Sequence, residues 1–413
     1  MSRTVWIINQ YASTPETGIG GRHYLLAQEL VERGLNVYLV MASFHHMLHS
    51  PIKVGEKYKH SKAGKLNIIH VKVPEYGDAH SGRRISNWFL FAYRLLGLKR
   101  FVRDKPDAIL YSSLSLVGVL SAERLARYYR VPLTFEVRDI WPLTLTEIGG
   151  VSPRHPFVWF LQWVEDRAYK VSARVISNLP GAVTHMMQRG MEPAKFEWIP
   201  NGVSVDEMER CEPLDEAFMA KIPRSQFVVG YAGTHGVANA LDNFLSAAAL
   251  LRDYSDISLV LVGRGKEKER LQARARSEHL DNVLFLPAVA KTQVPSVLNM
   301  FDVCFIGWKD ESLYRYGIGA NKIPEYFFSG KPVIHAYSGG SDPVEQFGAG
   351  LTVPAEDPEA LARGILELYR MSREQRAAMG NNGKRAVLER YDYSRLAAQL
   401  QAVLFQESTV VRE

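Results

Sequence analysis

Four short stretches of this chain combine glycine, cations and polar side chains in a way that suits an anion. GIGGRH, Gly18 to His23, sets Gly20 and Gly21 between an apolar run and a helical pattern. Adjacent glycines let backbone N–H groups approach a phosphate with a helix start behind them. YAGTHG (231–236) places Gly233 and Thr234 after a second apolar run, and VGRGKEK (262–268) places Gly263, Arg264 and Lys266 after a third. The fourth, YGIGANKIPEYFFSGKPVI (316–334), holds Ile318, then Asn321 and Lys322 at a helix start with Glu325 one turn in. A carboxylate so placed can accept two hydrogen bonds from a vicinal diol such as ribose; a helix-start acid complementing the macrodipole is the competing reading.

The missing motifs narrow the chemistry. Neither G-x-G run is completed to G-x-G-x-x-G (position 23 is histidine), which counts against NAD or FAD. There is no Walker A sequence, no H-E-x-x-H, no G-x-S-x-G and no Asp-x-Asp. His45, His46 and His49 have no acidic or cysteine partner nearby, so no metal site and no cofactor is expected. A phosphate leaving group would then be handled by cations and N–H donors, which the four loops supply.

The elements that position these loops follow from apolar periodicity. In the first half, strands are expected at 4–10, 35–42, 66–73, 108–112, 132–137 and 173–178. Helices at about 21–33, 84–104, 116–129, 156–171 and 180–189 lie between or after many of them. Several strands are nearly continuous apolar runs (VYLVMA, ARVIS), as buried parallel strands are. After WIPNGV (198–203) the alternation restarts, with strands at 227–232, 258–262, 283–286, 302–306 and 332–336. Helices at 238–251, 266–278, 291–300 and 321–329 alternate with them, and three more, at 358–370, 373–390 and 394–405, follow without a strand between. The fold class is therefore α/β: two doubly wound parallel-sheet, Rossmann-like domains, 1–200 and 201–391, facing across a cleft. The last helix, about 392–406, is expected to pack back on the first domain. Ligands of such sheets sit at the carboxyl ends of the strands, where the first three loops fall.

Length and composition agree. The chain has 413 residues, 46% apolar and 23% charged, with two cysteines, which fits two globular domains in a reducing compartment. No stretch reaches the 18 or so apolar residues of a membrane span. The start MSRTVWIINQ does not read as a signal peptide, and a cytoplasmic location is expected. Charge is uneven: residues 1–200 carry 26 Lys+Arg against 16 Asp+Glu, leaving the remainder mildly acidic. Six of those cations fall in Arg83 to Arg103 without an acid, among Trp88, Phe89, Leu90, Phe91 and Tyr93. Arg83, Arg84, Trp88 and Arg94 there suit either a membrane-surface helix or a core helix whose cations reach solvent. No zinc finger, RRM or helix-turn-helix accompanies the charge, and a nucleic-acid partner is not expected.

Taken together the segments resemble glycosyltransferase family 4, retaining transferases of the GT-B fold, over nearly the whole chain. The resemblance rests on the Gly20-Gly21 loop with LAQELVERGLNVYLV, VPLTFEVRDIWP (131–142), IPNGV (199–203), YAGTHG, VGRGKEKERL (262–271) and NKIPEYFFSGKPVI (321–334). The chain looks most similar to bacterial O-antigen and capsule transferases of the N-acetylfucosamine transferase type, whose signatures contain a V-R-D-L-W-P run (VRDIWP here) and a Y-G-x-x-x-N-K-x-x-[DE]-Y run. The resemblance implies a nucleotide sugar, with UDP favoured, held by the second domain and an acceptor held by the first. It further implies an undecaprenyl-diphosphate-linked saccharide as acceptor and a peripheral position on the inner membrane face.

By the same resemblance Glu325 matches the ribose-binding second glutamate of E-x7-E. Gly233 and Thr234 match the turn beside the diphosphate, Gly263 to Lys266 the next loop, and Asp139 the segment over the transferred sugar. Three positions depart from the pattern. Residue 317 is Gly where the first glutamate belongs, Arg138 stands where many relatives have histidine, and the Arg and Lys after the Y-x-G turn are missing. Arg264, Lys266 or Lys322 would take over the diphosphate charge. A nucleotide-sugar 2-epimerase and an inert transferase-like subunit remain the alternatives on this architecture.

Overall fold

The computed structural model describes residues 2–77, 81–223 and 225–406. The chain divides into two compact units, Met1–Pro200 with Tyr393–Glu413, and Asn201–Asp392.

The first unit is built on strands β1 (Thr4–Ile8), β2 (Asn36–Ala42), β3 (Tyr58–Ala63), β4 (Leu66–Val71), β5 (Ala108–Ser112), β6 (Leu133–Val137), β7 (Arg174–Ser177) and β8 (Phe196–Trp198). Its helices are α1 (Arg22–Glu32), α2 (Gly82–Leu95), α3 (Leu98–Phe101), α4 (Val119–Tyr129), α5 (Leu143–Glu147), α6 (Pro156–Val171) and α7 (Ala182–Gln188). The sheet order is β3-β4-β2-β1-β5-β6-β7-β8. All pairs are parallel except β3 with β4. The central strands β1, β5 and β6 are buried at every position, which explains why their sequences lack a polar alternation.

The second unit carries β9 (Phe227–Ala232), β10 (Ile257–Val262), β11 (Val283–Leu286), β12 (Val303–Gly307), β13 (Val333–Ala336) and β14 (Gly350–Val353). Its helices are α8 (Val205–Glu209), α9 (Glu216–Met219), α10 (Leu241–Leu250), α11 (Lys268–Ser277), α12 (Val294–Asn299), α13 (Lys322–Phe328), α14 (Pro343–Phe347), α15 (Pro358–Arg370) and α16 (Arg373–Ala386). The sheet runs β11-β10-β9-β12-β13-β14, parallel throughout. The order reverses between β9 and β12, and a switch point of this kind opens a crevice beyond the strand ends. Phe244 of α10 stacks on Phe305 of β12 at 4.2 Å, fixing the helix layer to the sheet beside that point.

The final helix, α17 (Tyr393–Phe405), belongs to the first unit. Leu396, Leu400 and Leu404 enter the core formed by α1, β1 and β2. Each buried leucine contributes roughly 1.5–3 kcal/mol. Gln399 Nε2 donates to Glu197 Oε1 (2.6 Å) and to the Trp198 carbonyl (3.1 Å), pinning the helix to β8.

The long helix expected over 84–104 is two helices. α2 ends at Leu95 and α3 begins at Leu98, with Gly97 between them. A Cβ at Gly97 would lie 2.1 Å from the Tyr58 hydroxyl of β3, so the break accommodates a tertiary contact. Among the described residues no helix is long and apolar enough to cross a membrane.

Candidate active site

In the second unit the loops after β9 and β10 are interlocked. The Gly233 N–H donates to the Val262 carbonyl (2.9 Å), His235 N–H to Arg264 O (2.9 Å), and Glu267 N–H to His235 O (3.1 Å). Glycine is required for this approach. A Cβ at Gly263 would stand 1.9 Å from the Gly233 oxygen, and one at Gly265 would stand 2.2 Å from the His235 oxygen. Lys268, the last residue of VGRGKEK, donates to the carbonyls of both Gly263 and Leu286 at 2.7 Å and ties the second loop to β11.

Lys322 is aimed at this pair of loops. Its Nζ lies 3.3 Å from Asn239 Oδ1 and 5.4 Å from the Tyr231 ring centroid. A Cβ on Gly233 would meet its Cε at 2.2 Å. Burial lowers the ammonium pKa, with Glu325 opposing the shift and Lys291 adding to it. An anion at this spot would relieve that penalty. The helix bearing Lys322 is fixed by the Tyr326 hydroxyl, which accepts from Ala232 N–H (3.0 Å) and donates to Ala232 O (3.2 Å) at the end of β9.

Glu325, one turn into α13, pairs with Lys291. Glu325 is largely covered and Lys291 is mostly in water. An ion pair of that kind is weak, so the carboxylate can exchange it for another donor. Asn201 Nδ2 holds the Gly319 carbonyl at 2.7 Å, ordering the segment that contains Gly317 and Ile318. Thr234, Arg264, Lys266 and Asn321 are exposed at the same strand-end edge. Arg264 is brought to the cluster through its backbone; Lys266 and Asn321 make no hydrogen bond or ion pair with it among the described residues.

His235 is fully buried, and neither ring nitrogen has a hydrogen-bond partner. Desolvation, assisted by Lys268, brings its pKa down to about 4. The neutral ring therefore acts as packing beneath the loops.

In the first unit the Gly20 N–H donates to Ser13 Oγ (3.3 Å), and Gly21 is exposed at the start of α1. The two residues that follow turn inward. Arg22 Nε donates to Glu136 Oε1 (2.8 Å), and its other nitrogens donate to the carbonyls of Ile199 (2.8 Å) and Pro200. His23 Nε2 donates to Glu136 Oε2 (2.5 Å), while Asn9 Nδ2 lies 3.0 Å from His23 Nδ1. This arrangement fits a neutral imidazole, and burial does hold the His23 pKa down against the pull of Glu136. Burial alone would raise Glu136, but His23, Arg22 and Arg138 hold it well below the usual carboxylate range. The firm counter-charge is the Arg22 guanidinium. The sequence signal for this missed cluster was an acid inside the apolar run LTFEV.

Arg138 and Asp139 follow β6 at the same strand-end edge. Arg138 N–H donates to Ser113 Oγ (3.2 Å), and its Nε is buried without a partner. Asp139 is exposed. Surrounding protein raises its pKa and Arg138 lowers it in part.

Trp88 requires correction. It is 2% exposed, its indole N–H donates to the Tyr11 hydroxyl (2.7 Å), and it meets Trp141 edge-on, so it is a core side chain and not a surface contact. Arg84 lies over the Tyr11 and Trp88 rings and donates to the Tyr11 hydroxyl (3.1 Å). Arg94 donates to the Lys72 carbonyl. Arg83 is exposed in the first turn of α2.

Two α/β domains built on parallel sheets fit the GT-B fold. Residues 17–202 match the family model described as glycosyl transferase 4-like domain, and residues 226–371 match that of glycosyl transferases group 1. The chain is a family 4-like GT-B glycosyltransferase.

A putative colanic acid biosynthesis glycosyl transferase, WcaI of Escherichia coli (strain K12), is 25% identical over 190 residues, covering 43% of this chain and 45% of that relative. The match thus spans less than half of the curated relative's length. Among solved structures, sucrose-phosphate synthase from Thermosynechococcus elongatus superposes with a TM-score of 0.76 at 16% identity, covering 98% of both chains. HepE of Anabaena in complex with UDP superposes with a TM-score of 0.67 at 14% identity, covering 98% of this chain and 100% of that one.

Proposed function

We propose that the second unit binds a UDP-sugar and that the protein transfers the sugar, with retention, to a lipid-diphosphate-linked saccharide during O-antigen, capsule or exopolysaccharide synthesis. The reading has the protein working at the inner face of the cytoplasmic membrane. One observation carries it most: the Lys322 ammonium sits against Gly233, above two glycine loops stitched together, with the Glu325 carboxylate one turn away. A diphosphate fits the cation and N–H groups, and a ribose diol fits the carboxylate. The UDP complex of HepE and the colanic acid assignment of WcaI support the choice of nucleotide and of pathway class.

In the proposed reaction the bond between the anomeric carbon and the phosphate oxygen breaks as the acceptor oxygen bonds the same face of that carbon. The acceptor's hydroxyl proton passes to the departing phosphate oxygen. Gly233 to Gly236, Gly263 to Lys266 and Lys322 stabilise the charge growing on the phosphate. The Asp139 carboxylate orients sugar hydroxyls or stabilises positive charge on the ring. No protein base is needed, since the leaving group accepts the proton.

The test is incubation with radiolabelled UDP-sugars and a bacterial lipid extract. Label should move into the organic phase, and Asp139→Asn should lower turnover at least tenfold while donor affinity stays within threefold. Label that stays nucleotide-linked as an epimer, or full turnover in the Asp139 variant, would overturn the scheme.

A further inference from the structure

The outer faces of α2 and α6 carry a contiguous set of exposed apolar side chains. On α2, Ile85, Phe89 and Tyr93 stand at four-residue intervals on one stripe, and Tyr93 is 73% exposed. On α6, Trp159 and Trp163 are one turn apart and 62% and 52% exposed. Phe160 joins the helices: it stacks on Phe89 with ring centroids 5.9 Å apart, and it lies 6.2 Å from Trp163. Isolated exposed aromatics are ordinary, but a connected group spanning two helices marks an interaction surface.

Within α2 and the first half of α6 the charged side chains are all basic. There is no acid in α2, nor between Ile148 and Val164, while Arg83 and Arg154 are exposed beside the two aromatic stripes. The acids farther along α6 are engaged within the protein. Glu165 meets His185 and Tyr169, and Asp166 pairs with Arg189. Aromatic rings flanked by arginines match the boundary between acyl chains and anionic headgroups, where ring and cation are each satisfied. The buried Trp88 lies edge-on to Trp141 at 5.5 Å, which links α2 to the loop bearing Asp139.

We propose that this α2/α6 face seats the first unit on an anionic lipid bilayer through Phe89, Tyr93, Trp159 and Trp163. The inference deepens the lipid-linked-acceptor reading and rests on it for its purpose: a saccharide anchored in that bilayer would be presented beside the Asp139 loop. It also moves the membrane contact from the Trp88 side of α2, which is core, to the opposite side and onto α6.

The experiment is cosedimentation of the full chain with phosphatidylglycerol/phosphatidylethanolamine vesicles and, in parallel, with pure phosphatidylcholine vesicles. Melting and the UDP-induced thermal shift are measured on the same preparations. Wild type should bind the anionic vesicles, more weakly at high salt. Phe89→Ser/Trp159→Ser/Trp163→Ser should reduce binding at least tenfold, and the single Trp159→Ser and Trp163→Ser variants should fall between, all with an unchanged UDP shift. Arg83→Gln/Arg154→Gln should weaken binding to the anionic vesicles alone. No binding by wild type, or full binding by the folded triple variant, overturns the proposal. So does a wild-type dimer that the triple variant dissociates, because that assigns the face to a second copy. Vesicle binding that responds to these variants while wild type shows no UDP shift would sustain the membrane face and count against the donor reading.

Discussion

The carbonyl oxygen of Gly233 occupies space that any side chain on residue 263 would need, 1.9 Å from where a Cβ would stand. The two candidate phosphate loops are therefore one structure. Gly263→Ala should separate them. A clash with backbone has no flexible group to absorb it, so a stability loss of about 1–3 kcal/mol is expected, together with loss of nucleotide binding. Urea unfolding and a UDP thermal shift on the same sample measure both.

Lys291 and Glu325 form an ion pair, yet the two partners should respond differently to mutation. Lys291→Ala should change stability by no more than about 1 kcal/mol, because the lysine is mostly in water. Glu325→Ala should be similarly mild for folding but weaken UDP binding at least tenfold, since the carboxylate is the group assigned to the ribose. Equal effects on binding would show that the pair itself is what matters.

Arg22 stands under the first glycine loop and bridges Glu136 to the carbonyls of Ile199 and Pro200. Arg22→Ala leaves a buried carboxylate without its counter-charge and should cost about 3–5 kcal/mol. Arg22→Met/Glu136→Leu removes both charges and should recover part of that loss. A double-mutant cycle by denaturant unfolding reads the difference.

His45, His70 and His235 are buried, and burial brings the pKa of each down to about 4. Unfolded, they titrate near 6.5, so between about pH 6.5 and 4 the unfolded chain binds protons that the folded chain refuses. Stability should therefore fall with pH across that window, by up to about 1.4 kcal/mol per pH unit for each histidine. The carboxylates of Glu136 and Asp342 have depressed pKa values and lose their contribution at still lower pH. His235→Leu should flatten the slope between pH 6 and 5, measured by urea midpoints. An unchanged slope would mean that the ring is already protonated in the folded state.

The parts of the fold readable from sequence were those fixed by local pattern. β2 and β9 are apolar runs covered on both faces, and Asp357 caps α15 at the aspartate before Pro358. β3 escaped notice because YKHSKA is polar and pairs antiparallel at the sheet edge; β8 has only three residues, and β14, GLTV at the other sheet's edge, is half-buried and lacks the apolar run of the inner strands. The loop glycines were visible as types, but their interlocking depends on register between β9 and β10, which no local pattern carries. Lys268 looked like one more surface cation until its two carbonyl partners were known. Arg22 and Glu136 are 114 positions apart, so only folding reveals that they meet. The aromatic residues of α2 were read as a single class, although Trp88 faces inward and Tyr93 outward.

The central claim is that the edge formed by Gly233, Gly263, Lys322 and Glu325 holds a nucleoside diphosphate. Titration calorimetry with UDP tests it most directly. Wild type should show saturable binding at one site per chain, and Lys322→Ala and Glu325→Ala should each weaken it at least tenfold without lowering the melting point by more than a few degrees. Binding that both variants retain at wild-type strength, or no heat from wild type with UDP or any other nucleoside diphosphate, would contradict the account.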